Sequence, residues 1–196
     1  EISVRDWSSD VCSSDLGQAD LVGAHSKAEI VQRLKDFAAK LPKDAWLMGR
    51  GWDQNLWPDK QFPSAADLDQ AFPDRPVFLE RIDGHASWAN TAAMKKASKS
   101  LDGDWQPDGG RIVRVGTRAT GVLIDGAQPL VGSAVPPRTP AQTREMYRRA
   151  FKELVAQGLT GVHDAGVSLD DFRVLQQMVK EGDIPLRLYE MADGNH

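Results

Sequence analysis

Three short segments hold the residue types that do chemistry: Gly49-Arg50-Gly51-Trp52-Asp53-Gln54, Asp83-Gly84-His85-Ala86-Ser87-Trp88-Ala89-Asn90 and Gly161-Val162-His163-Asp164-Ala165-Gly166. Each follows, or closes, a short apolar run of strand type. Imidazole and carboxylate groups bind polar substrate atoms and move protons near neutral pH, while an indole offers a large apolar surface with one N–H donor. Such groups gathered at strand ends are what a binding or catalytic pocket requires. The first two segments therefore predict a pocket wall with Trp52, Asp53, Asp83, His85 and Trp88 as substrate-binding candidates.

Each candidate has a plainer reading beside the functional one. His85 could bind a substrate carbonyl or carboxylate, or pair with Asp83 to fix the loop. Trp52 and Trp88 could wall a pocket or simply fill a core. Asp53 could cap its own turn, the commoner use of aspartate there. His163 and Asp164 close a strand at a catalytic rim, or are structural groups satisfied locally.

The elements that must position these residues are legible from periodicity. Ser26-Lys27-Ala28-Glu29 reads as a capping box, with Ile30, Leu34, Phe37 and Leu41 following at helical spacing until Pro42. Ala45 to Gly49 then predicts a strand feeding the Trp52-Asp53 loop. Ser64 to Phe72 reads as a short capped helix, and Pro76 to Glu80 as a strand running into the Asp83-His85 loop. A third helix is expected to start at Ser87 or Asn90 and continue through Met94. Leu101 to Gly110 is turn-rich, Arg111–Arg114 and Gly121–Ile124 read as hairpin arms around Gly116, and Leu130 to Pro140 as a linker.

From Thr139 the pattern alternates. Thr139, Pro140 and Gln142 open a helix whose buried stripe is Met146, Tyr147, Ala150, Phe151, Leu154 and Val155, ended by Gly158. Leu159 to His163 reads as a strand, Ser168 to Gly182 as a capped helix, and Ile184 to Met191 as a second strand. Such alternation with short connections implies parallel strands, in a doubly wound sheet or a (β/α)8 barrel. The turn after His163 lacks the glycine pattern of a dinucleotide site, and His163 and Asp164 fall where a barrel enzyme places its chemistry. The pattern favours the barrel.

Composition sets the limits. The 196 residues carry 24 basic against 28 acidic side chains, net −4, with neither sign in long blocks, so nothing points to nucleic acid or an anionic membrane. The single cysteine, Cys12, excludes an internal disulfide and a cysteine-rich zinc cluster. No apolar stretch is long enough to span a bilayer as a helix. Residues 1–18 have no periodicity and read as translated sequencing-adaptor sequence joined to a reading frame, or as a disordered leader.

Five phrases in order carry a family resemblance. They are Gly49 to Gln54, Phe72 to Asn90, Pro107 to Gly110, Thr120 to Asp125 and Gly158 to Gly166. The chain from Ala19 to Met191 resembles the amidohydrolase superfamily, in the YtcJ-like amidohydrolase 3 branch related to N-substituted formamide deformylases. The resemblance implies an α/β fold: part of a metal-dependent-hydrolase (β/α)8 (TIM) barrel with a long α+β insertion. Residues 19–138 would be the insertion that covers the pocket, and residues 139–196 the first part of the barrel. It also implies hydrolysis of non-peptide C–N bonds in a small-molecule substrate, with a divalent metal, zinc foremost, in the full-length protein.

The family's first barrel strand ends in a His-x-His pair, and this sequence has none: its histidines are His25, His85, His163 and His196. A complete barrel needs about 250 residues. The expectation is therefore a fragment without its own catalytic residues or metal ligands and with no tightly bound metal, in which Trp52, Asp53, Asp83, His85 and Trp88 line the substrate pocket and His163 and Asp164 lie near the active-site rim. The alternative is a non-catalytic small-molecule or carbohydrate-binding module using the same residues. Oligomeric state and compartment are left open.

Overall fold

The computed structural model describes residues 18–192. The expected leader, Cys12 and His196 thus lie outside the described residues, Gln18 excepted. The chain forms two compact units, Gln18–Pro136 and a second from Pro137 onward.

The first unit is a six-stranded mixed sheet. Its strands are β1 (Ala19–Asp20), β2 (Leu47–Trp52), β3 (Val77–Arg81), β4 (Ala86–Ala89), β5 (Gly110–Val115) and β6 (Arg118–Asp125), in the order β1-β2-β3-β4-β6-β5. β1, β2 and β3 run parallel, and β4, β6 and β5 continue antiparallel. The connections carry α1 (Lys27–Ala38), a 3-10 turn (Gln54–Leu56), α2 (Ala65–Asp69), α3 (Thr91–Met94) and α4 (Pro129–Gly132). Strand alternation divides the apolar residues between two faces. Leu47, Val77, Leu79 and Trp88 pack with Ile30 and Leu34 of α1 in one core, while Phe78, Ile112 and Leu123 pack with Val131 of α4 in another.

A bulge decides what β2 buries. The β2–β3 register shifts between Arg50 and Trp52, and Gly51 sits at φ 104°, where a Cβ would come within 2.5 Å of the Val22 side chain. Only glycine suits that position. The extra residue changes the parity of the strand, so Trp52 continues the buried face set by Leu47 and Gly49.

Several elements form as expected, and several differ for local reasons. Ser26 caps α1 by accepting from the Glu29 amide at 3.1 Å, but the Glu29 carboxylate accepts from the His25 amide at 2.9 Å and not from Ser26. Asp67 completes the α2 cap by accepting from both the Ser64 amide and hydroxyl. Ser87 does not open a helix: it lies in β4, opposite Glu80 of β3. The hairpin pairing takes those residues, and the helix starts only after Asn90, whose side chain accepts from the Ala93 amide. The expected linker opens with the short helix α4 and is irregular only after it.

The second unit contains α5 (Pro140–Ala156), β7 (Gly161–Val167), α6 (Leu169–Glu181) and β8 (Arg187–Ala192). Thr139 and Gln142 form the reciprocal capping box that the sequence implies. β7 and β8 pair in parallel, with Val162 opposite Leu188, His163 opposite Tyr189 and Asp164 opposite Glu190. Met146, Tyr147 and Phe151 of α5 and Leu175 and Met178 of α6 form the core with Val167 and Leu186. Arg144 and Arg148 bind Asp183, and Arg144 also pairs with Glu181, which holds the Glu181 carboxyl down to about 2.

Candidate functional site

In the first unit the parallel neighbours β2 and β3 end at one edge of the sheet. The Ile82 amide donates to the Trp52 carbonyl at 3.0 Å, so the loop after β3 is tied to the end of β2. Asp53 and the Asp83–His85 turn are therefore brought to the same edge. Asp53 caps the 3-10 turn, its Oδ1 accepting from the Asn55 amide at 2.9 Å and the Asn55 carboxamide at 2.8 Å. This is the local role weighed against ligand binding.

Asp83 and His85 are not paired ring to carboxylate. Asp83 accepts two bonds from Arg81, at 2.8 and 2.7 Å, and one from the His85 backbone amide at 3.0 Å. Partial burial pushes its carboxyl up, and the Arg81 guanidinium and His85 amide outweigh this and hold it below its ordinary value. The His85 ring faces Asp125 instead: Nδ1 lies 2.8 Å from Asp125 Oδ1, and the Asp125 amide donates to the His85 carbonyl at 3.0 Å. Asp125 holds a left-handed backbone, φ 47°, a conformation that non-glycine residues seldom adopt. Behind this pair, the buried Ser87 hydroxyl donates to Gln128, and Gln128 donates to the Gly84 carbonyl at 2.9 Å.

The arrangement fixes what His85 can offer. A carboxylate in its ionised form only accepts, so a neutral ring donating to it from Nδ1 would leave Nε2 as an acceptor. Neutral His85 therefore suits a substrate N–H, and only the charged ring can donate to a carbonyl or carboxylate. The His85 side chain is 71% exposed and that of Asp125 50%, so the pair stands at the surface.

Trp52 and Trp88 are fully buried and present no ring face to solvent. With Trp57 they form a three-indole cluster, centroids 6.0 to 6.2 Å apart. Each indole N–H donates to a backbone carbonyl: Trp52 to Leu79, Trp57 to Ala24 and Trp88 to Ser64. They form the floor beneath the polar edge. Trp57, five residues after Trp52, is the member of the cluster that the sequence motifs do not single out.

In the second unit the strand expected to close at His163 runs on to Val167, because its pairing with β8 continues to Ala192, so His163 and Asp164 lie mid-strand, as do Tyr189 and Glu190, with polar groups on both faces. His163 is exposed, and its ring lies 5.1 Å from that of Tyr189, itself 62% exposed. On the opposite face, in line with Val162 and Leu188, stand Asp164 and Glu190. Both Glu190 carboxyl oxygens are buried without a hydrogen-bond partner among the described residues. Burial and then the charge of Asp164 push Glu190 up to about 7, and burial and then Asp171 push Asp164 up. Sequence reasoning missed Glu190. The signal was there: an acidic residue two positions after Leu188 on a face that should be apolar.

The sign of the effect of Glu190 on stability follows. Its pKa is raised on folding, so the folded chain holds a proton that the unfolded chain releases above about 4.5, and stability falls as pH rises toward about 7. Although its carboxyl oxygens are covered, the residue as a whole is only half-buried, and solvent screening reduces the cost to about 1 kcal/mol. Glu190→Gln should raise the thermal midpoint at pH 8 and leave it unchanged at pH 4. Equal shifts at both pH values would contradict the assignment.

Among the described residues, no three His, Cys, Asp or Glu side chains converge as a metal site needs. The fold is shared with two solved structures, uncharacterized metal-dependent hydrolases from Pyrococcus horikoshii OT3 and Pyrococcus furiosus. The TM-scores are 0.65 and 0.63 at 24% and 23% identity, over 92% of this chain and 34% and 35% of theirs. A family model described as the amidohydrolase family matches residues 11–195. The chain belongs to the amidohydrolase family.

Among its curated relatives, it is 38% identical over 176 residues to the putative amidohydrolase YtcJ of Bacillus subtilis, covering 89% of this chain and 31% of that protein. It is 37% identical to the protein LONG AFTER FAR-RED 3 of Arabidopsis thaliana, over 77% of this chain and 26% of that one. A more distant relative is the N-substituted formamide deformylase of Arthrobacter pascens, 26% identical over 86% of this chain and 32% of that protein. The chain thus spans about a third of the length of the curated relatives it matches.

Proposed function

We propose that this chain is the pocket-covering α+β segment, with the opening strands of a (β/α)8 barrel, of a longer metal-dependent amidohydrolase that cleaves non-peptide C–N bonds. Substrates are small molecules of the N-substituted amide or formamide type. The observation that carries this reading is the parallel β7–β8 pair joined through α6, the helix–strand alternation of a barrel, with His163, Asp164 and Glu190 at mid-strand. The family match over both units and the deformylase relative support it.

A divalent metal, zinc by expectation, would lower the pKa of bound water to about 7 and polarise the substrate carbonyl. Among the described residues no three His, Cys, Asp or Glu side chains converge, and the reading gives these residues no catalytic step. Their work is recognition: the Asp125-oriented His85 accepts a substrate N–H at Nε2, Asp83 and Arg81 hold the turn that carries it, Asp53 sets the neighbouring loop, and Trp52 and Trp88 support both from below. His163 stands mid-strand on the exposed side of the β7–β8 pair. The alternative is a non-catalytic small-molecule or carbohydrate-binding module; a carbohydrate would need exposed indole faces for stacking, and the buried Trp52 and Trp88 offer none.

The 196-residue chain should titrate with zinc without a tight stoichiometric site and hydrolyse an N-substituted formamide at the background rate. Turnover by this chain that follows added metal would overturn the reading.

A further inference from the structure

One edge of the six-stranded sheet is closed by a side chain. β5 pairs with β6 alone, and no described strand lies on its other side. Such an edge presents N–H and C=O groups at alternate residues as a template for another extended chain. At Ile112 both groups are already taken: its N–H donates to Gln106 Oε1 at 2.7 Å, and its C=O accepts from Gln106 Nε2 at 3.2 Å. One carboxamide supplies the donor and acceptor that the peptide group of a neighbouring strand would supply.

The segment from Leu101 to Pro107 follows the same edge. The Gly110 amide donates to the Pro107 carbonyl at 3.3 Å, and Arg114 Nε donates to the Leu101 carbonyl at 2.8 Å. At the hairpin tip, the Gly103 amide donates to the Thr117 carbonyl and the Ala119 amide to Asp102, both at 2.8 Å. The segment is thus fastened at both ends of the hairpin, yet it forms no strand of its own. β5 contains no proline and ends at Val115, which is 78% exposed.

We propose that residues 101–107 are an edge guard, and that its release opens β5 to strand addition by a second copy of this chain. A second copy fits because two freed β5 edges are self-complementary. Antiparallel pairing centred on Ile112 sets Arg111 opposite Val113 and Arg114 opposite Gly110, so no arginine faces another.

The test is Gln106→Ala in the 196-residue chain, compared with the unsubstituted chain by residue-resolved hydrogen exchange and by light-scattering mass across a concentration series. At low concentration the Ile112 amide should exchange about five- to tenfold faster in the variant. At high concentration the variant should shift toward a dimer and regain protection across residues 110–114. Unchanged Ile112 exchange with unchanged mass would overturn the proposal, and so would association without renewed protection at 110–114.

Discussion

Asn90→Ala should cost about 3–5 kcal/mol of stability in the first unit. Asn90 is fully buried, and its carboxamide makes four hydrogen bonds to backbone. Its Oδ1 accepts from the Val77 and Ala93 amides, each at 2.9 Å, and its Nδ2 donates to the Phe72 and Arg75 carbonyls at 2.8 and 2.9 Å. One side chain caps α3, starts β3 and closes the turn before it. Each such bond contributes about 1 kcal/mol net, and alanine leaves four backbone groups unpaired in the interior. Asn90→Asp keeps the acceptor, loses the donor and buries a charge, so it should cost at least as much. Urea unfolding followed by circular dichroism measures both. A loss under about 1 kcal/mol for the alanine variant would refute this account of the β3–β4 region.

Trp52→Ala should cost a similar amount, about 4–5 kcal/mol, made of the cavity term for a large buried side chain and the lost ring contacts with Trp57 and Trp88. Trp52→Phe keeps most of the apolar volume but leaves the Leu79 carbonyl without its indole donor, and should cost about 2 kcal/mol. Pairing Trp52→Ala with Trp57→Ala in a double-mutant cycle should give a coupling of about 1 kcal/mol. Were Trp52 a pocket wall, its removal would leave the unfolding midpoint nearly unchanged, and the same measurement distinguishes the two roles.

These two residues also show where sequence reading succeeds and where it stops. The capping box at Thr139 and Gln142 is local, three residues apart, and the structure keeps it. The parallel pairing of β7 with β8 follows from the alternation of helix and strand around Gly158 and Gly182. β4 was not legible: Ala86 to Ala89 runs straight into the helix-capping Asn90, and only its pairing with β3 and β6 makes it a strand. The side to which Trp52 points depends on the Gly51 bulge, which periodicity does not reveal. The partner of His85 lies 40 residues away, at the end of β6, and no spacing rule reaches that far. Asp83, two residues away, was the visible choice, and it binds the His85 backbone amide instead.

At the centre of the proposed function stands His85, held by Asp125, as a residue that would bind the substrate and take no part in holding the metal. It is tested most directly in the longer protein that carries this segment, by measuring bound zinc together with kcat and KM for an N-substituted formamide in the His85→Ala variant. The account predicts an unchanged metal content, KM raised about tenfold and kcat nearly unchanged, as expected for the loss of one hydrogen bond to the bound substrate. Loss of zinc from the variant, or an unchanged KM, would contradict it.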